Sequence, residues 1–200
     1  AAARANEASL IDVGAEDPEA TGDPPEIALL VSAAKAGLFK DELEERFPRI
    51  ASIPFDPERR FSATFNRADG EELQFVKGAP ERVLGRCKLA LIDGQREPLT
   101  DELRDEIHSA NEQLAGQAMR VLALAYQELS EGGIEGAKAQ LDEGQGDLVF
   151  VGLAGMMDPP RPEAATAVAA CHRAGIRVIM ATGDHRATGE AVAREVGIMH

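Results

Sequence analysis

Two hundred residues, 44% of them hydrophobic, suffice for one sizeable core, or for one domain and part of another. Thirty-five acids against 21 bases leave a formal charge of −14. That balance opposes general affinity for nucleic acid or anionic lipid, because both need an excess of Lys and Arg. The longest apolar stretches, Ile27–Ala34 and Leu148–Met157, are shorter than the roughly 20 residues that span a bilayer. No basic segment followed by an apolar one opens the chain as a secretory signal would. Cys87 and Cys171 have neither CxxC spacing nor a disulfide framework around them, which fits a reducing compartment. The four histidines are scattered, against a structural metal site.

Residues 1–10 read as the end of a helix whose beginning is missing, followed by an acidic loop through Glu16, Asp17 and Glu19. Asp23 is placed to cap a helix, Pro24 and Pro25 suit its first turn, and Gly37 suits its stop. Ile27, Leu30, Val31 and Ala34 make its buried stripe. A charged helix around Lys40–Arg46 leads to Pro48. The period then changes: Ile50–Phe55, Phe61–Asn66 and Leu73–Lys77 predict strands of an antiparallel meander, separated by turn chemistry at Asp56–Arg59 and Ala68–Gly70. A short helix near Pro80–Gly85, a hairpin across Asp93–Gly94, a long polar helix from Thr100 to Met119 and a strand over Arg120–Tyr126 follow. The stretch Gly132–Gly146 is glycine-rich but lacks the GxxxxGK[ST] spacing of a phosphate-cradling loop, so it reads as a loop with a helical patch.

After Asp147 the pattern becomes β–α–β–α: an apolar strand Leu148–Gly155, a helix to Gly175, a second buried strand Ile176–Ala181, and a last helix opened by Thr182-Gly-Asp184. The expected fold is therefore α+β. Residues 1–147 give an antiparallel sheet flanked by helices, and residues 148–200 give an incomplete α/β lobe.

Three segments invite chemistry. Polar groups of Thr182-Gly-Asp184, at the carboxyl end of a buried parallel strand, would sit where open α/β sheets bind ligands. A hydroxyl and exposed backbone N–H groups can hold phosphoryl oxygen there, and a carboxylate can help hold Mg2+. Asp158-Pro-Pro-Arg161 places an acid and a base beside the same crevice. In Phe75-Val-Lys-Gly-Ala-Pro-Glu81, Lys77 fits either a nucleotide pocket or a snorkelling lysine at a strand-to-helix turn, with Gly78 permitting close backbone approach.

Taken together, Lys77-Gly-Ala-Pro-Glu81, Asp158-Pro-Pro-Arg161 and Thr182-Gly-Asp-His185 resemble type II P-type cation-transporting ATPases, the calcium-pump-like and sodium/potassium-pump-like branch. Gly22–Glu26, Ile53-Pro-Phe-Asp-Pro-Glu-Arg-Arg60 and Met119–Tyr126 agree, so the resemblance covers nearly the whole chain. It implies a nucleotide-binding domain over 1–147, lacking its first strands, and a partial phosphorylation domain like that of haloacid dehalogenases over 148–200. It further implies that Phe55 stacks on adenine, Glu26 accepts from the adenine amino group, and Lys77, beside Gly78, lies at the base of that pocket. Arg60 would lie near the phosphates, with Arg120 reaching the ribose and phosphate tail and Leu122 beside the sugar. Thr182 and Gly183 would contact phosphate, Asp184 would mark the Mg2+ and hinge region, and Asp158 and Arg161 would help close the lobes. His185 belongs to the pattern without a chemical role, and Thr188-Gly-Glu190 is a coincidental likeness to an actuator motif.

The resemblance implies ATP and Mg2+ as cofactors. Its partners would be ATP or ADP and the rest of a pump: transmembrane, actuator and remaining phosphorylation domains. The chain would be a cytoplasmic domain of an integral membrane protein, with calcium the favoured ion. No Asp-Lys-Thr-Gly-Thr occurs, so the phosphorylated Asp is absent and the chain alone is expected to bind ATP weakly without turnover. The competing readings are a non-catalytic nucleotide-binding module and a stand-alone phosphatase of the haloacid-dehalogenase class. The latter lacks an Asp nucleophile before the relevant strands.

Overall fold

A computed structural model describes residues 1–11, 19–68, 70–117, 119–130, 133–157, 160–182 and 186–199. The chain divides into two compact units, Ala1–Arg104 with Leu122–Ala154, and Asp105–Val121 with Gly155–His200.

In the first unit a two-stranded antiparallel ribbon pairs β1 (Ser9–Ile11) with β2 (Glu19–Thr21). Glu19 thus belongs to a strand, while residues 12–18 of the expected acidic loop lie outside the described residues. Helix α1 (Pro24–Lys35) starts where two prolines fix the first turn. It stops in a Schellman arrangement: Gly37 has φ +73°, its N–H donates to the Ala34 carbonyl (2.9 Å), and the Leu38 N–H donates to that of Ala33 (3.0 Å). Asp23 holds the N-cap position without a side-chain cap. Leu29 and Leu30 are the residues α1 buries, while Ile27, Val31 and Ala34 are half-buried. Helix α2 (Lys40–Arg46) follows as expected.

The main sheet runs in the order β3-β4-β5-β8-β9-β6-β7. The meander is β3 (Arg49–Ile53), β4 (Phe61–Ala68) and β5 (Glu71–Gly78), and α3 (Pro80–Leu84) leads from it to the hairpin of β6 (Cys87–Ile92) and β7 (Gln95–Pro98). Asp93 and Gly94, with φ of +49° and +82°, supply the two left-handed positions that a two-residue hairpin turn needs. After α4 (Asp101–Gly116), β8 (Arg120–Leu129) pairs antiparallel with β5. Helix α5 (Ile134–Asp142) is the helical patch of the glycine-rich stretch, and β9 (Leu148–Met156) pairs parallel with β6.

Register divides β4, β5 and β8 into two faces. One carries Phe61, Ala63 and Phe65 beside Val76, Ala123 and Ala125, all wholly buried. Helix α5 covers it, with Lys138 Nζ 5.8 Å from the Phe65 ring centre. The other face mixes polar and apolar groups: Ser62, Lys77 and Leu124 form one cross-strand row, and Thr64, Phe75 and Tyr126 the next, with Lys77 and Thr64 buried.

Two expectations are corrected. Residues 1–8 form a single turn and then irregular backbone, because the Asn6 side chain bonds the backbone around it in place of a helical ladder. In the second unit, α6 (Pro162–Arg173) and α7 (Arg186–Glu195) form, but Ile176–Ala181 is no strand, and Ile176 and Ile179 are 56% and 77% exposed. A parallel strand there needs a free edge, and β9 already lies between β8 and β6. The incomplete α/β lobe therefore does not take shape among the described residues.

Candidate functional site

The polar face of β5 meets the first turn of α1 at one ion pair. Glu26 projects from α1 and its Oε1 accepts from Lys77 Nζ, the side chains being 17% and 7% exposed. Its Oε2 accepts from the backbone N–H groups of Glu7 (3.0 Å) and Ala8 (3.1 Å). Burial holds the Lys77 ammonium below the usual lysine range; the bond and charge of Glu26 and the charge of Glu7 oppose that shift, and Lys40 adds to it. The lysine is thus no snorkelling side chain at a turn.

Gly78, next along β5, lies opposite Phe61 on β4 and Ala123 on β8. A Cβ there would stand 2.5 Å from the Arg60 carbonyl oxygen and 2.6 Å from Phe61 Cα. The glycine lets strand β4 approach, and through it the loop that carries Phe55.

Phe55 lies just beyond β3 and is 60% exposed, an apolar ring left open to solvent. Its loop is braced from within. Asp56 Oδ1 accepts from the N–H groups of Glu58 (2.9 Å) and Arg59 (3.0 Å), which lowers the pKa of that carboxyl. Arg60 ends the loop at φ +59°, and its carbonyl accepts from the Ala79 N–H (2.9 Å). The Arg60 guanidinium is paired with Glu81 at 2.6 Å. Leu122 is half-buried on β8, two residues before the Leu124 that faces Lys77 across the strands.

The structure therefore joins Glu26, Lys77 and Gly78 directly and ties the Phe55 loop to the end of β5 through Arg60. Arg120 is exposed at the start of β8 and belongs to the second unit, as do Arg161, at the N-cap of α6, and Thr182, also exposed. Asp158, Gly183, Asp184 and His185 lie outside the described residues. Among the described residues there is no group of three or more His, Cys, Asp or Glu side chains that could hold a metal ion. Sequence reasoning missed Asn6, Glu7 and Glu81 as partners of the site. Glu81 stood inside the quoted motif, but the other two carry no local signal.

Comparison with known proteins gives the family. Residues 1–163 match the family described as P-type ATPase, cytoplasmic domain N. The chain belongs to that family. It is 39% identical over 179 residues to calcium-transporting ATPase 1 of Lactococcus lactis, covering 90% of this chain and 20% of the relative. It is 38% identical over 178 residues to calcium-transporting ATPase 1 of Bacillus cereus, covering 89% and 20%. It is 43% identical over 192 residues to the cation-transporting ATPase pma1 of Synechocystis, covering 95% and 20%. The chain spans about one fifth of the length of these relatives. No described helix is long and apolar enough to cross a membrane.

Proposed function

We propose that this chain is the ATP-binding portion of a membrane pump that couples ATP hydrolysis to cation transport, with calcium the favoured ion. The observation that carries the reading is the buried pair that Glu26 makes with Lys77 on β5, with a loop tied to the end of that strand through Arg60 that holds Phe55 open to solvent. Adenine stacks on Phe55, Lys77 and Gly78 form the floor, and Glu26 accepts from the exocyclic amine. A carboxylate there disfavours guanine, whose carbonyl would face it. Leu122 lies beside the sugar, and Arg60 serves the phosphates.

ADP binds in the same way, and the phosphates remain largely solvated, so affinity falls in the high-micromolar to millimolar range, about 4–6 kcal/mol. Asp158, Arg161, Thr182, Gly183 and Asp184 belong in this reading to the phosphate- and Mg2+-handling domain. The rest of the pump supplies the acceptor Asp, so the chain alone turns over no ATP.

Amide chemical-shift titration with ATP, ADP and GTP tests the pocket. ATP should shift resonances around Phe55 and Lys77, and Phe55→Ala should weaken binding about tenfold while leaving the fold intact, as loss of a base-stacking ring does. An unchanged Phe55→Ala affinity would mean that the base binds elsewhere.

A further inference from the structure

Residues 4–8 carry no part of the proposed pocket, yet they reach the Glu26 carboxylate oxygen that Lys77 does not bind. Asn6, 1% exposed, donates from Nδ2 to the Glu26 carbonyl (2.9 Å) and to that of Ala2 (3.4 Å), while its Oδ1 accepts from the Ala8 N–H (2.9 Å). Arg49 grips the same segment from β3. Its Nη2 donates to the carbonyls of Asn6 (2.8 Å) and Arg4 (3.4 Å), and its Nη1 to Glu7 Oε1 (2.5 Å). Thr64 Oγ1 donates to the Arg4 carbonyl (3.1 Å) and Lys40 Nζ to that of Ala8 (2.7 Å). Ala3 and Ala8 are buried with Leu30 in one apolar cluster, against which Ile27 and Leu43 pack.

So many anchors on so short a segment have one product: the N–H groups of Glu7 and Ala8 stand at Glu26 Oε2. An ionised carboxylate offers about four lone-pair sites. The two N–H groups and Lys77 occupy three of them, and the fourth is held in a fixed direction.

Building on the adenine pocket proposed above, we infer that Arg4–Ala8 is a built-in clamp on the Glu26 carboxylate, with Asn6 and Arg49 as positioning residues that set selectivity for the base. Stacking on Phe55 is indifferent to which purine is bound. Discrimination falls to the one remaining acceptor direction of Glu26, and a carboxylate free to rotate would lose it. Truncating Arg49 should therefore lower the preference for ATP over GTP while leaving the stacking contribution in place.

Chemical-shift titration of the intact chain with ATP and with GTP, for the wild type, Arg49→Ala and Arg49→Lys, reads this directly. The expected result is a fall of about three- to tenfold in the ATP-to-GTP affinity ratio for Arg49→Ala, the scale of one weakened charge-assisted hydrogen bond. The Glu7 and Ala8 amide resonances should move, and Arg49→Lys should recover part of the ratio. Should Arg49→Ala not fold, Glu7→Gln, altering a side chain 63% exposed, carries the same expectation. An unchanged ratio in the folded variant, with ATP still shifting Phe55 and Lys77, overturns the clamp and leaves the pocket standing. A wild-type chain in which ATP shifts neither residue overturns both.

Discussion

The carboxyl end of β5 and the segment Ile176–Thr182 carry motifs of the same kind, a strand-like run ending in polar residues, but they have opposite surroundings. Lys77 and Gly78 lie between Ser62 and Phe61 on one side and Leu124 and Ala123 on the other. Ile176–Thr182, no less apolar, is in no strand and exposes Ile179 by 77%. A strand needs hydrogen-bonding edges as well as apolar side chains, and only the first segment has them. Groups at the end of a paired strand are fixed by the ladder on both sides, and a site can be built there.

The strongest way to break this contrast is Gly78→Val. Because a Cβ would meet backbone atoms at 2.5–2.6 Å, urea unfolding should show a loss of about 4 kcal/mol or no folded state at all. Full stability would mean that β4 can yield at this point. Glu26→Ala comes next. It leaves Lys77 buried without its counter-charge and should cost about 3 kcal/mol, while the double variant with Lys77→Met should recover most of that loss.

A third probe asks how dry the paired region is. Burial pushes the Cys87 thiol up to about 12, against the nearby charge of Arg104. Above the ordinary thiol range, near pH 8.5, the unfolded chain gives up a proton that the folded chain keeps, so the unfolded state binds fewer protons and stability falls as pH rises towards 12. The slope should approach about 1.4 kcal/mol per pH unit, and Cys87→Ala should flatten it in denaturation curves taken between neutral and alkaline pH. The smallest effect belongs to the other region. Ile179→Ser should change stability by less than about 0.5 kcal/mol, and a larger loss would show that the side chain is covered in solution.

Elements whose cause is local were legible in the sequence. The Asp93–Gly94 hairpin follows from two residues that tolerate positive φ, and α1 from two prolines at one end and Gly37 at the other. The meander follows from alternation broken by turn residues. What depends on a distant partner was not legible. Glu26 and Lys77 are 51 residues apart, and resemblance placed both at one base without disclosing that they pair with each other. The alanines of residues 1–8 favour a helix by propensity, but one buried Asn6 with three backbone partners outweighs them. Ile176–Ala181 has a strand's composition, yet composition cannot say that β9 has both edges filled.

Arg60 comes with its own counter-ion. Its contact to Glu81 leaves the two side chains 53% and 49% exposed, so the pair is open to water and to competitors. If a phosphate chain enters here, it takes the place of a carboxylate already installed, and neutralisation becomes an exchange of one anion for another. Salt weakens the outgoing contact as well as the incoming one, so added ions should oppose this step less than at a guanidinium without a counter-ion. A molecule of charge −14 can in this way keep a guanidinium ready for a polyanion without becoming adhesive towards every other anion it meets.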